Sequence, residues 1–397
     1  MLGVDVRDDV VALINKGEAP FSEPELAVSV SGAVSLGKLR AATMPEPADA
    51  FIVAVPTPFL EDRTADLSFI QAAADAVAPV LKAGDLVVLE STSPPGTTVQ
   101  LSKWLAAVRP DLTFPHDHPE TSEVFVAHCP ERVLPGRIMI ELVMNDRVVG
   151  GVSARCAERA RALYAVFTQG DMHLTTAATA EMAKLAENAY RDVNIAYANE
   201  LSMVCDSLEI DVHEVIALSN RHPRVQILKP GPGVGGHCIA VDPWFIVSAA
   251  PDRAPLIRQA RAVNDSKPGY VVEAVLRDAQ RFDSPTVACL GLTFKANVED
   301  VRQSPALQIV ETLAQRLAGR ILVAEPHLPA LPMTLERAVN VEKMDAVPAI
   351  ASAEIVVLLV DHDAFRGLDM AALGNRVVHD PAGMMLLAAD GQTRRPA

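Results

Sequence analysis

The sequence predicts an α/β protein in which two segments of alternating strands and helices flank a helical middle. Three observations carry this. Short β-like runs alternate with helical patterns in the first third of the chain and again after residue 284. Proline-rich turns follow strand ends directly, which is where open α/β sheets place their ligands. Between the two segments, residues 175–208 contain neither glycine nor proline, the pattern of one long helix.

In chain order, residues 3–6, 50–55, 86–90 and 125–128 read as strands, with an alanine-rich helix over 67–81. Strand, helix, strand in this rhythm predicts βαβ units and a parallel sheet. The turns are VPTP at 55–58 and SPPG at 93–96. The long helix takes Thr179 or a neighbour as its N-cap. A second helix is expected over 252–279, with Pro255 and Pro268 at its ends or dividing it, because an interior proline removes a helical hydrogen bond. The β rhythm resumes at 286–294, 321–324, 354–360 and 377–379. No internal repeat or low-complexity segment is visible.

The chain has 397 residues, enough for two or three domains, and acids outnumber bases 50 to 35 for a net charge of −15. That balance argues against a nucleic-acid or anionic-membrane partner. Anionic ligands must be held by a few placed cations and backbone amides. No apolar run approaches the roughly 20 residues of a membrane helix, and no signal-peptide pattern opens the chain. Cys129, Cys156, Cys205, Cys238 and Cys289 lie far apart without metal-ligand spacing, which predicts a reducing, cytoplasmic setting and no metal. HDH at 116–118 reads as a loop, and Met384 and Met385 as core packing.

The densest chemical signal is KPGPGVGGHCIAVDPWF at 229–245. Its glycines (231, 233, 235 and 236) permit close approach of a ligand to backbone amides. Cys238 in their midst has the setting of a nucleophile; the other four cysteines read as buried apolar residues. A second signal is EMAKLAENAYRDVNIAYANE at 181–200, where Lys184, Asn188 and Arg191 share one helix face. That face is either a solvated stripe or part of a site. Asn194 and Asn199 tip the reading toward a site, since asparagine lowers helix propensity. In CPERVLPG at 129–136, Glu131 and Arg132 are either a general base and an anion clamp or a surface ion pair. LGLTFKANVEDVRQSP at 290–305 runs from a strand into a loop carrying Lys295 and Arg302.

Together with ESTSPPGTT at 90–98, these stretches resemble the family of nucleotide-sugar 6-dehydrogenases that includes UDP-glucose and GDP-mannose dehydrogenases. RDVNIAYANEL and RHPRVQILKPGPGVGGHCIAVDPWF are most similar to its UDP-N-acetyl-D-mannosamine branch. The resemblance covers the chain from Gly3 onward. It implies two Rossmann-like domains joined by a long central helix, a homodimer built largely on that helix, and NAD as cofactor. The implied reaction oxidises the C6 alcohol of a UDP-sugar to a carboxylate, through a cysteine thiohemiacetal and thioester. By motif position it makes Cys238 the nucleophile, Lys184 and Asn188 the oxyanion donors and Asp242 the residue that orders water or Lys184. It makes Glu131 the base for thioester hydrolysis, and Thr92 a holder of that water or a nicotinamide contact. Arg132, Val133, Arg191, His222, Arg224, Gly235 and Lys295 are its implied substrate contacts; Asp5, Thr57, Thr92 and Arg302 face NAD.

The expected division is an NAD-binding domain over 1–172, a central domain over 173–282 with the cysteine loop, and a UDP-sugar-binding domain over 283–397. Asp5 matches a ribose-binding acid, yet no strand, glycine-rich turn and helix stand before it. The expectation is a start set too far downstream, the alternative being a fragment with impaired NAD binding. The expected substrate is UDP-N-acetyl-D-mannosamine. Its rivals are the gluco epimer and a binding protein without catalysis.

Overall fold

The computed structural model describes residues 1–21, 23–134, 136–368 and 373–385. The chain divides between Glu187 and Asn188 into two compact units.

In the first unit, β1 (Leu2–Val4) leads through α1 (Asp8–Asn15) and α2 (Leu26–Ser35) to β2 (Arg40–Ala42), and the two strands pair in parallel by themselves. Neither helix contains a fully buried residue. The main sheet follows: β3 (Ala50–Val53), α3 (Ser68–Val77), β4 (Leu86–Leu89), α4 (Thr97–Val108), β5 (Phe125–His128), α5 (Ile138–Met144), β6 (Arg147–Gly151), α6 (Ala154–Tyr164) and β7 (Met172–Thr176). Its strands lie in sequence order, all parallel except the β5–β6 pair. The two-residue period of β4 sends Val87 and Leu89 into a core with Ile70, Leu101 and Leu105, while Leu86 and Val88 pack with Val149, Ala160 and Tyr164 on the other face. Both faces are covered, which is why this strand is wholly apolar.

The long helix is present as α7 (Ala177–Ser207), 31 residues whose first turn is capped by the Thr176 hydroxyl accepting from Thr179 N at 3.2 Å. After α8 (Val212–Ser219), α9 (Asp242–Ala249) and α10 (Pro255–Ala279), a second sheet is built from β8 (Thr286–Leu290), α11 (Pro305–Arg316), β9 (Arg320–Ala324), α12 (Met333–Glu336), β10 (Val341–Lys343), α13 (Ala346–Ser352), β11 (Ile355–Leu358) and β12 (Val377–His379). Its all-parallel order, β10-β9-β8-β11-β12, is that of a doubly wound nucleotide-binding half. The order reverses between β8 and β11, so the loops after those strands border a ligand crevice.

Several expectations need correcting. Pro255 does start a helix, but Pro268 neither ends nor divides it; it lies inside α10. Side chains around it hold the helix instead of the missing bond. Arg261 Nη1 meets Asp192 Oδ1 at 2.6 Å, Asn264 Nδ2 donates to the same oxygen at 2.8 Å, and Lys267 Nζ donates to Ser202 Oγ at 2.6 Å. The strand expected over 286–294 stops at Leu290, where Gly291 turns the chain with φ +95°. β2, β6, β7 and β10 went unread because they are short or carry arginine, glycine and threonine in place of an apolar run. Met384 joins the core but Met385 is exposed. Among the described residues no helix is long and apolar enough to cross a membrane.

Candidate active site

Cys238 is the one exposed cysteine of the five; Cys129, Cys156, Cys205 and Cys289 are buried, as their sequence context suggested. Its carbonyl accepts from Val241 N at 3.0 Å and Asp242 N at 2.9 Å, so the thiol stands on a helical turn that feeds α9. One turn on, the Asp242 carboxylate is buried and accepts from Asn188 Nδ2 at 2.5 Å. The spacing of four read in the sequence is therefore a helical repeat that ties the Cys238 turn to α7.

The glycines before Cys238 also make room for the protein's own chain. A Cβ on Gly235 would sit 2.4 Å from the Gln303 carbonyl oxygen and 2.7 Å from Pro305 Cδ, and one on Gly236, at φ +81°, 2.8 Å from the Phe294 ring. On the Cβ side the close approach is made by the protein's own 294–305 loop. Gly231 N donates to Asn199 Oδ1 at 2.8 Å, and Asn199 Nδ2 donates to Asn264 Oδ1 at 2.9 Å. Asn199 thus anchors the loop, and Asn194 donates to its own helix at the Tyr190 carbonyl, 2.7 Å away. Asn199 is buried and its side chain is taken up by the protein itself.

The 294–305 loop brings charge with it. Arg302 forks onto Asp300, Nη2 to Oδ2 at 2.6 Å and Nε to both oxygens at 3.0 Å, and Asp300 Oδ1 also accepts the Arg302 amide at 2.9 Å. The hydrogen bond to Arg302 holds the Asp300 carboxyl below the usual carboxylate range. His237 is pushed down first by burial and then by Arg302, which keeps it neutral. Lys295 is half-buried, its carbonyl accepting from Thr293 Oγ1 at 2.8 Å. Of the remaining candidates in this unit, Arg191, His222 and Arg224 are exposed.

In the first unit the candidates gather at the carboxyl ends of adjacent parallel strands. Ser91 Oγ both accepts from Val55 N and donates to Val55 O at 2.8 Å, tying the turn of Thr57 after β3 to that of Thr92 after β4. Past β5, Glu131 Oε1 accepts the Arg132 amide at 2.5 Å. The Arg132 guanidinium is engaged by Glu187, at 2.6 Å from Nη2 and 3.2 Å from Nε, so its ion pair is with Glu187 rather than with Glu131, which meets only the Arg132 backbone amide. Val133 and Lys184 are half-buried. Asp5 follows β1 and accepts from Arg7 N at 2.9 Å.

Two acids escaped sequence reasoning. Glu90, closing the otherwise apolar β4 run, accepts from Tyr164 Oη at 2.5 Å, and burial pushes its carboxyl up. An acid ending a run of four apolar residues was the available signal. Glu181 is fully buried and receives Gly96 N at 2.6 Å, Thr98 N at 2.7 Å and Thr98 Oγ1 at 2.6 Å, satisfying the N-terminus of α4. His116 hydrogen-bonds Ser102 Oγ at 2.8 Å, and no group of residues among those described could hold a metal.

These turns suit part of a dinucleotide. Asp5 has an acceptor for ribose hydroxyls, and the buried Ser93 hydroxyl between Thr92 and the SPPG prolines has no hydrogen-bond partner in the protein. The N-termini of α1 and α4 carry acids, Asp8 and Asp9 on the first and Glu181 on the second.

Three parts of the UDP-glucose/GDP-mannose dehydrogenase family profile match in order: the NAD binding domain at 1–168, the central domain at 178–266 and the UDP binding domain at 288–385. An NDP-N-acetyl-D-galactosaminuronic acid dehydrogenase of Ralstonia nicotianae is 59% identical, covering 97% of this chain and 90% of its own. A UDP-N-acetyl-D-mannosamine dehydrogenase of Salmonella typhi is 50% identical over 97% and 93%. Among solved structures, the UDP-N-acetyl-mannosamine dehydrogenase of Staphylococcus aureus matches with a TM-score of 0.82 at 39% identity, covering 96% of this chain and 89% of that one.

Proposed function

The chain belongs to the UDP-glucose/GDP-mannose dehydrogenase family, and we propose that it oxidises the C6 alcohol of UDP-N-acetyl-D-mannosamine to the uronate through a thioester on Cys238. It is an NAD-dependent UDP-sugar dehydrogenase. The observation that carries the mechanism is the exposed thiol one turn before a buried carboxylate that Asn188 holds.

NAD, when bound, supplies the acceptor for the two hydrides that leave C6. The chain's own residues handle the rest. Cys238 attacks the C6 aldehyde, forming a C–S bond while the carbonyl electrons move to oxygen; Lys184 and Asn188 are its assigned oxyanion donors. After the second oxidation, Glu131 takes a proton from the water that cleaves the thioester, and the thiolate leaves. Asp242 fixes the Asn188 amide, and Thr92 is assigned to the water. Arg132, Val133, Arg191, His222, Arg224, Gly235 and Lys295 remain the assigned substrate contacts, and Asp5, Thr57, Thr92 and Arg302 those of NAD. We retain the division at 1–172, 173–282 and 283–397, with a homodimer in the cytoplasm as the working form.

The 59% identical relative favours a second reading, the galacto epimer. Purified protein given NAD and UDP-N-acetyl-mannosamine, -glucosamine or -galactosamine separately decides. The expected result is two NADH per sugar with the manno substrate. Turnover of another epimer alone overturns the substrate, and sugar binding without NADH leaves only a binding protein. Cys238→Ser should lose carboxylate formation by at least about a thousandfold.

A further inference from the structure

Between β8 and α11, residues 291–304 form neither helix nor strand. Yet this stretch meets the Cys238 turn, through the Gln303 carbonyl at Gly235 and through the Phe294 ring, 2.8 Å from where a Cβ on Gly236 would lie. Asn297 and Gln303 both take the left-handed region, at φ +61° and +51°, a conformation that residues other than glycine keep only where their surroundings fix it. His362, fully buried after β11, supplies the anchor. Its Nδ1 accepts from Asn297 N at 3.0 Å; an amide can only donate, so Nδ1 carries no proton and the ring N–H is on Nε2, 3.1 Å from Glu325 Oε2 and 3.3 Å from Thr293 Oγ1. Glu325, buried after β9, also accepts from Leu292 N at 2.7 Å, and Thr293 Oγ1 donates to Lys295 O at 2.8 Å. Asn297 returns the contact, its Oδ1 accepting from Asp363 N at 2.9 Å.

We propose that His362 is a positioning residue for the dehydrogenase reaction: by tying together the loops after β8 and β11, it fixes the loop on which the Cys238 turn packs and the Lys295 backbone within it. A neutral imidazole suits the place because it accepts at one nitrogen and donates at the other. It acts through the loop, not on the reacting atoms. The role rests on Cys238 being the nucleophile.

Glutamine at 362 keeps a donor for Glu325 but no acceptor at the Nδ1 position, whereas asparagine keeps an oxygen there. Both lose the ring packing on His327 and Phe365, so the difference between the two variants reads the tie to Asn297. Amide hydrogen exchange of the purified protein without substrate, read by peptide mass spectrometry, should run about tenfold faster over 292–303 and 231–240 in His362→Gln, with α11 unchanged. With the UDP-N-acetylhexosamine that turns over, kcat should fall about tenfold, and His362→Asn should bring both readings back to within about threefold of the parent. Asn297→Gly repeats the test from the loop's side, at an exposed position where glycine suits the left-handed φ; it removes only the bond to Asp363 and should give a smaller rise in exchange over the same two segments. Exchange over 231–240 that stays at the parent rate in His362→Gln and Asn297→Gly overturns the positioning role. So does a rise spread equally over α11, or a His362→Asn indistinguishable from His362→Gln. Undiminished carboxylate formation by Cys238→Ser would instead sink the nucleophile assignment, while the exchange rates, taken without turnover, still decide whether His362 holds the loop.

Discussion

The N-termini of α4 and α11 stand in equivalent places, each opening the first helix after a buried strand, yet they are closed by opposite means. At α4 the N-cap is Gly96, with φ +98° and no side chain to offer. The orphan donors there are met by Glu181, 85 residues from Gly96 in sequence. At α11 the N-cap is Ser304, whose hydroxyl accepts from Leu307 N at 3.3 Å and donates to Leu292 O at 2.6 Å, and Pro305 follows with no donor to satisfy. A helix end with a local cap is independent of the rest of its unit. One without a local cap borrows a charge, and its stability then depends on a distant residue and on pH.

Glu181→Ala is the strongest way to break this contrast. It leaves the two buried Thr98 donors and the part-buried Gly96 amide without their acceptor, and the unit should lose about 3 kcal/mol, read as a shifted urea midpoint at unchanged slope. A smaller, pH-dependent effect sharpens it. Burial raises the Glu181 carboxyl above its ordinary value, so the native state holds that proton more tightly than the unfolded chain. Stability from this residue is therefore greatest below the ordinary glutamate range and falls as pH rises through the raised native value. Glu181→Gln keeps the shape without the titration. Its melting temperature should lack that decline, and an identical pH slope in both proteins would show that Glu181 is not its source.

The same contrast explains what could be read from the sequence. Local patterns were legible: the uninterrupted apolar and alanine spacing of α7, the buried runs of β4, β8 and β11, and the Cys238–Asp242 repeat all declare themselves within a few residues. Features settled by distant partners were not. Pro268 ends a helix by propensity alone, but Arg261, Asn264 and Lys267 hold α10 together through Asp192 and Ser202, more than sixty residues away. Gly235 and Gly236 read as room for a ligand, and the loop that packs on their Cβ side, about sixty residues later, could not be read from their own segment. Asn199 looked like a site residue because its partners, Gly231 and Asn264, were invisible from its own helix. Glu181 sat inside a quoted motif without standing out, since one acid in a motif gives no sign of its burial, and Glu90 was marked only by its place at the end of an apolar run.

Ser304→Ala is the mild counterpart at α11. It removes one cap acceptor and the donor to Leu292, leaving Leu307 N near the helix surface, where water can reach it, and Pro305 unaffected. The expected loss is about 1 kcal/mol, the usual worth of a serine cap. Because no charge is involved, the loss should be the same at pH 5 and pH 8. Urea unfolding of this variant at both pH values checks both statements. A loss matching that of Glu181→Ala would mean that the Leu292 bond, which pins the first turn of α11 to the end of β8, carries more than the cap, and that the two helix ends differ in chemistry but not in how much of their unit depends on them.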